Sequence, residues 1–194
     1  MAASDRERWD ARHAAAGAGS PLPPDALRGC LDLLPSSGRA LDLACGRGAV
    51  AVWLAGRGLD VVAVDVSPAA LAAGAELVTR EQPPGRVRWV EADLDAGFPV
   101  EEGRYDVVVC QRFRDPALYP AMAAALAPGG LLAVTVLSEV GDAGGAFRAA
   151  PGADRRVRRP RGPRPRRGGR RGAPGGARPR LSGPAQPPCV VALR

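Results

Sequence analysis

The sequence predicts a doubly wound α/β domain over residues 1–153, with a mostly parallel sheet of five recognisable strands. Short apolar runs alternate with helical patterns through the first 150 residues. These runs are apolar at successive positions, which is typical of strands buried on both faces of a parallel sheet. A chain of 194 residues is also long enough to bury one substantial core.

The N-terminal part of the sequence, residues 1–36, is predicted to form a helical cap. A first helix is expected over residues 5–16 and a second from Pro23 through Leu34, with proline tolerated in its first turn. Between and after the strands, apolar periodicity predicts helices over three ranges, namely residues 49–57, 68–79 and 116–126. Ser67 and Asp115 are expected to cap the second and third of these.

The predicted strands are the apolar runs at residues 40–44, 61–65, 87–91, 105–110 and 131–137. The last of them follows Pro128-Gly129-Gly130, which is typical of a tight turn. A sixth and a seventh strand are not recognisable.

The turn after the first strand is the natural place for a ligand, because ligands of open parallel sheets bind at the carboxyl ends of strands. Gly46 and Gly48 allow the backbone to bend sharply and to approach a bound molecule. Asp65 ends the second strand, where a carboxylate can accept hydrogen bonds from both hydroxyls of a ribose. Asp93 follows the third strand, where it can accept from an adenine amino group.

These residues resemble the motifs of class I S-adenosylmethionine (SAM)-dependent methyltransferases, which have a Rossmann-like fold. Residues 42–48 are similar to the first motif, although Ala44 stands where the family most often has its first glycine. Asp65 and the segment around Asp93 match the second and third motifs. The likeness covers roughly residues 8–153 and is closest to small-molecule methyltransferases of the tellurite-resistance and thiopurine kind.

The resemblance implies SAM as cofactor and methyl transfer to a small-molecule acceptor. The residues that it implies for cofactor binding are Asp42, Ala44, Cys45, Gly46, Gly48, Asp65, Val66, Asp93, Leu94 and Cys110. The residues expected to contact the substrate are Trp9, Arg12, Gln111, Arg112 and Phe113. No catalytic residue is named, because displacement at a sulfonium methyl needs mainly positioning and desolvation. His13, the only histidine, is expected at the rim of the pocket or on the surface.

A nicotinamide-dinucleotide site is a rival interpretation of the glycine turn. Residues 46–51 also fit the loose pattern G-x-G-x-x-G/A of such sites. Asp42 and Asp93 count against that interpretation, because neither has an assigned role in a dinucleotide site.

Residues 154–194 form an arginine-, proline- and glycine-rich tail with 13 Arg, 8 Pro and 7 Gly. Such a composition cannot bury a core, so the tail is predicted to be disordered. One hypothesis is a basic arm that binds nucleic acid. Another is a shift of reading frame near Gly152, which would leave a catalytically impaired SAM-binding remnant. The last apolar run, residues 189–193, could form one strand, but its register cannot be assigned.

The remaining features narrow the class of protein. The four cysteines stand far apart, without the paired spacing of a metal site or a disulfide scaffold. The N-terminus is charged, and no apolar run reaches the ~18 residues that a membrane span requires. A cytoplasmic protein without a metal centre is therefore expected.

Overall fold

The computed structural model of the protein describes residues 3–16, 19–100, 102–138, 148–149 and 189–193. Its α-helices are α1 (Ala3–Ala14), α2 (Ala49–Gly56), α3 (Pro68–Glu81) and α4 (Tyr119–Ala125). Three short 3-10 helices are also present, at Asp25–Leu27, Leu31–Leu33 and Pro116–Leu118. The strands are β1 (Gly38–Leu43), β2 (Leu59–Asp65), β3 (Val87–Glu91), β4 (Tyr105–Gln111), β5 (Leu126–Thr135), β6 (Leu137–Ser138), β7 (Arg148–Ala149) and β8 (Cys189–Leu193).

The main sheet has the strand order β3-β2-β1-β4-β5-β8, and every neighbouring pair in it is parallel. The chain runs outward from β1 to β3 and then returns to the other side of β1 with β4. This reversal creates a crevice at the carboxyl ends of β1 and β4, which is the usual ligand position in doubly wound sheets. The predicted fold class is confirmed.

Successive residues of each central strand point to opposite faces of the sheet and build two cores. Leu41, Val62 and Val108 contribute to one core, which α4 covers with Met122. The other core contains Ala40, Val61 and Val107, and α2 covers it with Leu54. Burial on both faces explains why these strands carry apolar residues at successive positions.

The predicted second helix over residues 23–34 is wrong. The structure has the two 3-10 helices Asp25–Leu27 and Leu31–Leu33 there, separated by a turn. Pro24 stands immediately before the first of them in an extended conformation. Gly29, which loses much backbone freedom in a helix, lies in the break between the two. Leu27 is still buried against the second core, so the segment packs on the sheet without being α-helical.

The boundary between the last helix and the fifth strand also differs from the prediction. The range 116–126 divides into the 3-10 helix Pro116–Leu118 and α4, while β5 begins at Leu126. Leu126 pairs with Tyr105, and the register then shifts before Val107 pairs with Leu131. The predicted turn at residues 128–130 therefore lies inside β5 as an irregularity of the ladder.

The last apolar run forms strand β8, and its pairing with β5 defines its register. It lies parallel to β5, with Leu131 opposite Cys189 and Thr135 opposite Leu193. The rest of the arginine-rich tail, residues 154–188 and Arg194, lies outside the described residues, and so does the hypothesised shift of reading frame near Gly152. Within the described ranges, no helix is both long and apolar enough to cross a membrane.

Candidate functional site

A cavity of about 330 Å³ opens at the carboxyl ends of the central strands. Helix α1, the turn after β1, the end of β2 and the segments after β3 and β4 all contribute to its wall. The lining residues are Trp9, Arg12, His13, Asp42, Ala44, Cys45, Gly46, Ala49, Val50, Asp65, Val66, Ala92, Leu94, Gln111, Arg112 and Phe113.

The turn between β1 and α2 is built from left-handed backbone conformations. Ala44, Gly46 and Gly48 have φ angles of 49°, 53° and 72°. The amide of Cys45 donates to the Val64 carbonyl at 3.0 Å, which ties the turn to β2. Ala44, at the position where the resemblance expects glycine, is therefore the one residue of the turn that carries a Cβ in this conformation.

Asp65 supports this turn from the end of β2. Its Oδ2 accepts a hydrogen bond from the Gly46 amide at 2.7 Å, and its Oδ1 accepts from the Ser67 amide at 3.0 Å. The residue is 8% exposed. Because each carboxylate oxygen can accept more than one hydrogen bond, the side chain keeps acceptor capacity toward the cavity.

Asp42 is the most buried acid of the cavity wall, at 1% exposure. It accepts a hydrogen bond from the backbone of Ala51, whereas its buried Oδ2 has no hydrogen-bond partner among the described residues. Burial raises the pKa of Asp42 to about 8, and the nearby Asp65 carboxylate contributes to the increase. An unpartnered acceptor at this place suits a ligand with a cationic or N–H group.

Helix α1 lies over the cavity and contributes Trp9, Arg12 and His13 to its wall. Asp10, on the same helix, accepts hydrogen bonds from the Ser67 hydroxyl and, at 3.2 Å, from the Ala69 amide at the start of α3. The Ser67 hydrogen bond, followed by that from Ala69, lowers the pKa of Asp10. Asp10 thus joins α1 to the residues that follow Asp65.

The segment after β4 forms the opposite wall. Gln111 accepts a hydrogen bond from the Asp25 amide through its side chain, and Phe113 is buried at 8% exposure. Arg112 has a φ of 60°, and its amide donates to the Thr135 carbonyl at 2.7 Å. Its guanidinium lies 3.4 Å from a carboxylate oxygen of Asp25. All three residues named for substrate contact in this segment line the cavity.

Three of the residues expected to bind the cofactor do not line the cavity. Gly48 instead faces Trp89, because a Cβ on Gly48 would lie 2.4 Å from the indole. The Oδ1 of Asp93 accepts a hydrogen bond from the Asp95 amide at 2.9 Å, within its own turn. Cys110 is fully buried in the first core, with its thiol 3.8 Å from the Phe113 carbonyl.

The cavity also contains residues that the motifs did not identify, namely Ala49, Val50 and Ala92. Ala49 and Val50 begin α2, and Ala92 follows β3. Their small apolar side chains carry no distinctive signal in a sequence, although each lies within two residues of a motif. His13 lies on the cavity wall, where its ring stacks on Trp9 with centroids 5.9 Å apart.

The residues of the cavity fit SAM. Asp42 offers an unpartnered acceptor to a positively charged ligand, and Asp65 offers further acceptor capacity to hydroxyl groups. Val66, Ala92 and Leu94 provide an apolar surface beside these acids that suits a purine ring.

Comparisons with known proteins agree with this geometry. A family model described as "Methyltransferase domain" matches residues 40–130. The ribosomal RNA small subunit methyltransferase C of Alcanivorax borkumensis is 40% identical over 76 residues, covering 39% of this chain and 22% of that protein. The chain spans about a quarter of the length of the first curated relatives it matches.

Solved structures show the same fold. A SAM-dependent methyltransferase from Geobacter sulfurreducens in complex with S-adenosyl-L-homocysteine matches with a TM-score of 0.52 and 20% identity, over 66% of this chain and 54% of that one. A structure concerning the conversion of a disulfide bond into a thioacetal group during echinomycin biosynthesis matches with a TM-score of 0.50 and 25% identity, over 70% and 61% of the two chains. Residues 40–130 of this chain therefore match a methyltransferase domain, and the fold of the chain is that of SAM-dependent methyltransferases, whose cofactor is SAM.

Proposed function

We propose that this chain transfers a methyl group from SAM to a small-molecule acceptor. The observation that carries the proposal is the pair of buried acids, Asp42 and Asp65, on the wall of a cavity at the carboxyl ends of β1 and β2. When bound, SAM supplies a methyl group on a sulfonium, which is already strongly electrophilic. The protein is then required mainly to hold, orient and desolvate the two reactants.

Each part of the wall has a proposed role. Asp42 accepts from the cationic methionine end of the cofactor, and Asp65 accepts from the ribose hydroxyls. The backbone of Ala44, Cys45 and Gly46 approaches the methionine moiety. The purine packs against the apolar surface of Val66, Ala92 and Leu94 on the cavity wall. Gly48 and Cys110 act through packing, because neither lines the cavity.

The acceptor is proposed to bind between α1 and the segment after β4, against Trp9, Arg12, Gln111, Arg112 and Phe113. The cavity volume of about 330 Å³ lies in the range of small-molecule sites. The position of α1 over the cavity also favours a small acceptor, because a macromolecule would have to displace this helix. The ribosomal RNA methyltransferase among the relatives makes RNA the acceptor class that has to be tested against it.

Calorimetric titration tests the cofactor. SAM and S-adenosylhomocysteine should bind with one site per chain, and NADH should not bind. Asp65→Asn should weaken SAM binding by about ten-fold or more, since hydrogen bonds to a charged group are lost. Asp60→Asn is the matched control, because Asp60 lies on the same strand and its carboxylate accepts from the Arg86 amide away from the cavity. Binding of NADH without SAM would contradict the proposal.

Turnover of SAM to S-adenosylhomocysteine tests the acceptor. A panel of small thiols, amines and oxyanions should support product formation, whereas ribosomal RNA should not. Product formed only with RNA would show that the chain is a methyltransferase of another acceptor class.

A further inference from the structure

The charged groups around the cavity are separated by depth. The acids Asp42 and Asp65 are buried, at 1% and 8% exposure. The arginines Arg12 and Arg112 line the same cavity but are exposed to solvent. The cavity therefore has an acidic interior and a basic entrance. The acidic interior suits the positively charged cofactor, so the basic entrance remains to be explained by the second reactant.

Both arginines are held at the entrance and keep donors for a ligand. The guanidinium of Arg12 lies over the ring of Trp9, with its central carbon 5.3 Å from the ring centroid. Stacking uses the face of the guanidinium and leaves its N–H edge available. Arg112 is fixed by its backbone hydrogen bond to Thr135, while its ion pair with Asp25 is long, at 3.4 Å, and exposed. Such a pair contributes little and is readily exchanged for a better anion.

The only histidine of the cavity wall is a poor proton acceptor, chiefly because it is partly buried. His13 lines the cavity between α1 and the glycine turn. Burial lowers the pKa of His13, Arg47 and Arg12 lower it further, and Asp65 and Asp10 oppose them. The imidazole is therefore disfavoured as a proton acceptor. An acceptor that arrives already deprotonated would need no general base.

Resting on the proposed methyl transfer, we infer that the acceptor is a small anion whose negatively charged group binds between Arg12 and Arg112. A lone pair of that group forms the bond to the methyl carbon, while the carbon–sulfur bond breaks and its electron pair returns to sulfur. The acceptor leaves with one negative charge fewer, and no proton is transferred. Loss of that charge also weakens the hold of the two arginines on the methylated product.

Benzoate and benzamide form a matched pair of probes, because they share shape and an aromatic ring that suits the Trp9 and Phe113 walls, but differ in charge. The measurement is the affinity of each probe for the protein loaded with S-adenosylhomocysteine. Benzoate should bind at least about ten-fold more tightly than benzamide, as expected for a bidentate arginine–carboxylate contact. Arg12→Gln and Arg112→Gln should each reduce this preference, and the double variant should abolish it.

Arg88→Gln is the control, because Arg88 is an exposed arginine on β3 that does not line the cavity. It should leave the preference for benzoate unchanged. Melting temperatures and S-adenosylhomocysteine affinities, measured for every variant, separate folding and cofactor binding from anion recognition. If the wild-type protein binds S-adenosylhomocysteine but does not prefer benzoate, the anion proposal is wrong while the methyltransferase proposal stands. If it binds neither SAM nor S-adenosylhomocysteine, the methyltransferase proposal fails and the anion proposal fails with it.

Discussion

Ala44 carries a methyl group at a φ of 49°, in a conformation that glycine adopts much more readily. Ala44→Gly should therefore stabilise the protein, because relief of the left-handed strain of ~1–2 kcal/mol exceeds the added backbone entropy of glycine. We expect the melting temperature to rise by about 2–4 °C. Ala72→Gly is the control, since Ala72 lies exposed within α3 and the same substitution should lower the melting temperature there. A lower melting temperature for Ala44→Gly would show that the turn is unstrained.

Asp42 makes stability depend on pH, because its pKa is raised to about 8 in the folded protein from 3.8. Between these two pH values the unfolded chain releases a proton that the folded protein retains, so folding becomes less favourable as pH rises. Asp42→Asn removes this penalty. Its melting temperature should match that of the wild type near pH 4, exceed it increasingly up to about pH 8, and exceed it by a constant amount above that.

Melting curves from pH 4 to pH 9, measured without ligand, check this expectation. Asp32→Asn, at an exposed site on the N-terminal segment, should give a curve parallel to that of the wild type. In the same Asp42 variant SAM binding should weaken, because the acceptor proposed for the cationic end of the cofactor is lost. A constant difference between Asp42→Asn and wild type at all pH values would mean that Asp42 titrates normally.

At the scale of elements, Asp10 is one of the side chains that hold helix α1 in position, together with Arg6, which pairs with Glu91 of β3. Asp10 joins α1 to Ser67 and to the amide of Ala69 at the start of α3. Asp10→Ala should therefore weaken SAM binding by about ten-fold through loss of these contacts, while lowering the melting temperature only slightly. Titration calorimetry and thermal melts measure the two effects. Glu7→Ala, an exposed change on the same helix, should alter neither.

Helix α3 meets β3 through a glycine. A Cβ on Gly74 would lie 2.4 Å from the Trp89 ring, which also contacts Gly48. Gly74→Ala should lower stability by about 1–3 kcal/mol, even though alanine favours helices, because the indole has to move. Trp89→Leu should be less harmful in the Gly74→Ala background than alone. Denaturant unfolding of the four proteins in this cycle gives the coupling, and strictly additive effects would exclude the contact.

The elements predicted correctly are those whose local signals agree with their tertiary environment. In α3, Ser67 accepts from the Ala70 amide as the expected N-cap, and β3 begins and ends at the predicted residues. The segment from Pro23 to Leu34 failed because its apolar spacing suits a helix, whereas Pro24 and Gly29 favour short turns. Leu27 and Leu34 are buried against the sheet although the segment is not α-helical, so apolar periodicity alone could not distinguish the two conformations.

At the scale of the whole molecule, the position of the cavity followed from the alternation of strands and helices, because parallel strands place their carboxyl ends together. The set of residues that line the cavity could not be predicted from the sequence. Gly48, Asp93 and Cys110 belong to motifs but do not line the cavity. Gly48 faces Trp89, the Asp93 side chain accepts a hydrogen bond within its own turn, and Cys110 is buried in the core. Such contacts join residues far apart in the chain, and a single sequence does not display them.

The pairing of β8 with β5 joins residues 189–193 to the main sheet. Strand β8 covers the edge of β5 from Leu131 to Thr135. Deletion of residues 189–194 should expose this edge, lower the melting temperature and promote aggregation. Deletion of Arg194 alone, just beyond β8, is the control and should have little effect. Light scattering during thermal melts measures both properties, and an unchanged melt for the longer deletion would show that β8 adds no stability.

Because the strand order reverses between β1 and β4, two separate stretches of chain form the two sides of the cavity. The acids Asp42 and Asp65 stand on one side of this division, and the residues from Gln111 to Phe113 stand on the other. Because the two stretches have different proposed partners, the sequence of one can change while that of the other is retained. Under the proposed function, exchanging the segment after β4 for that of a relative is a direct route to a new acceptor preference in an enzyme that keeps its methyl donor.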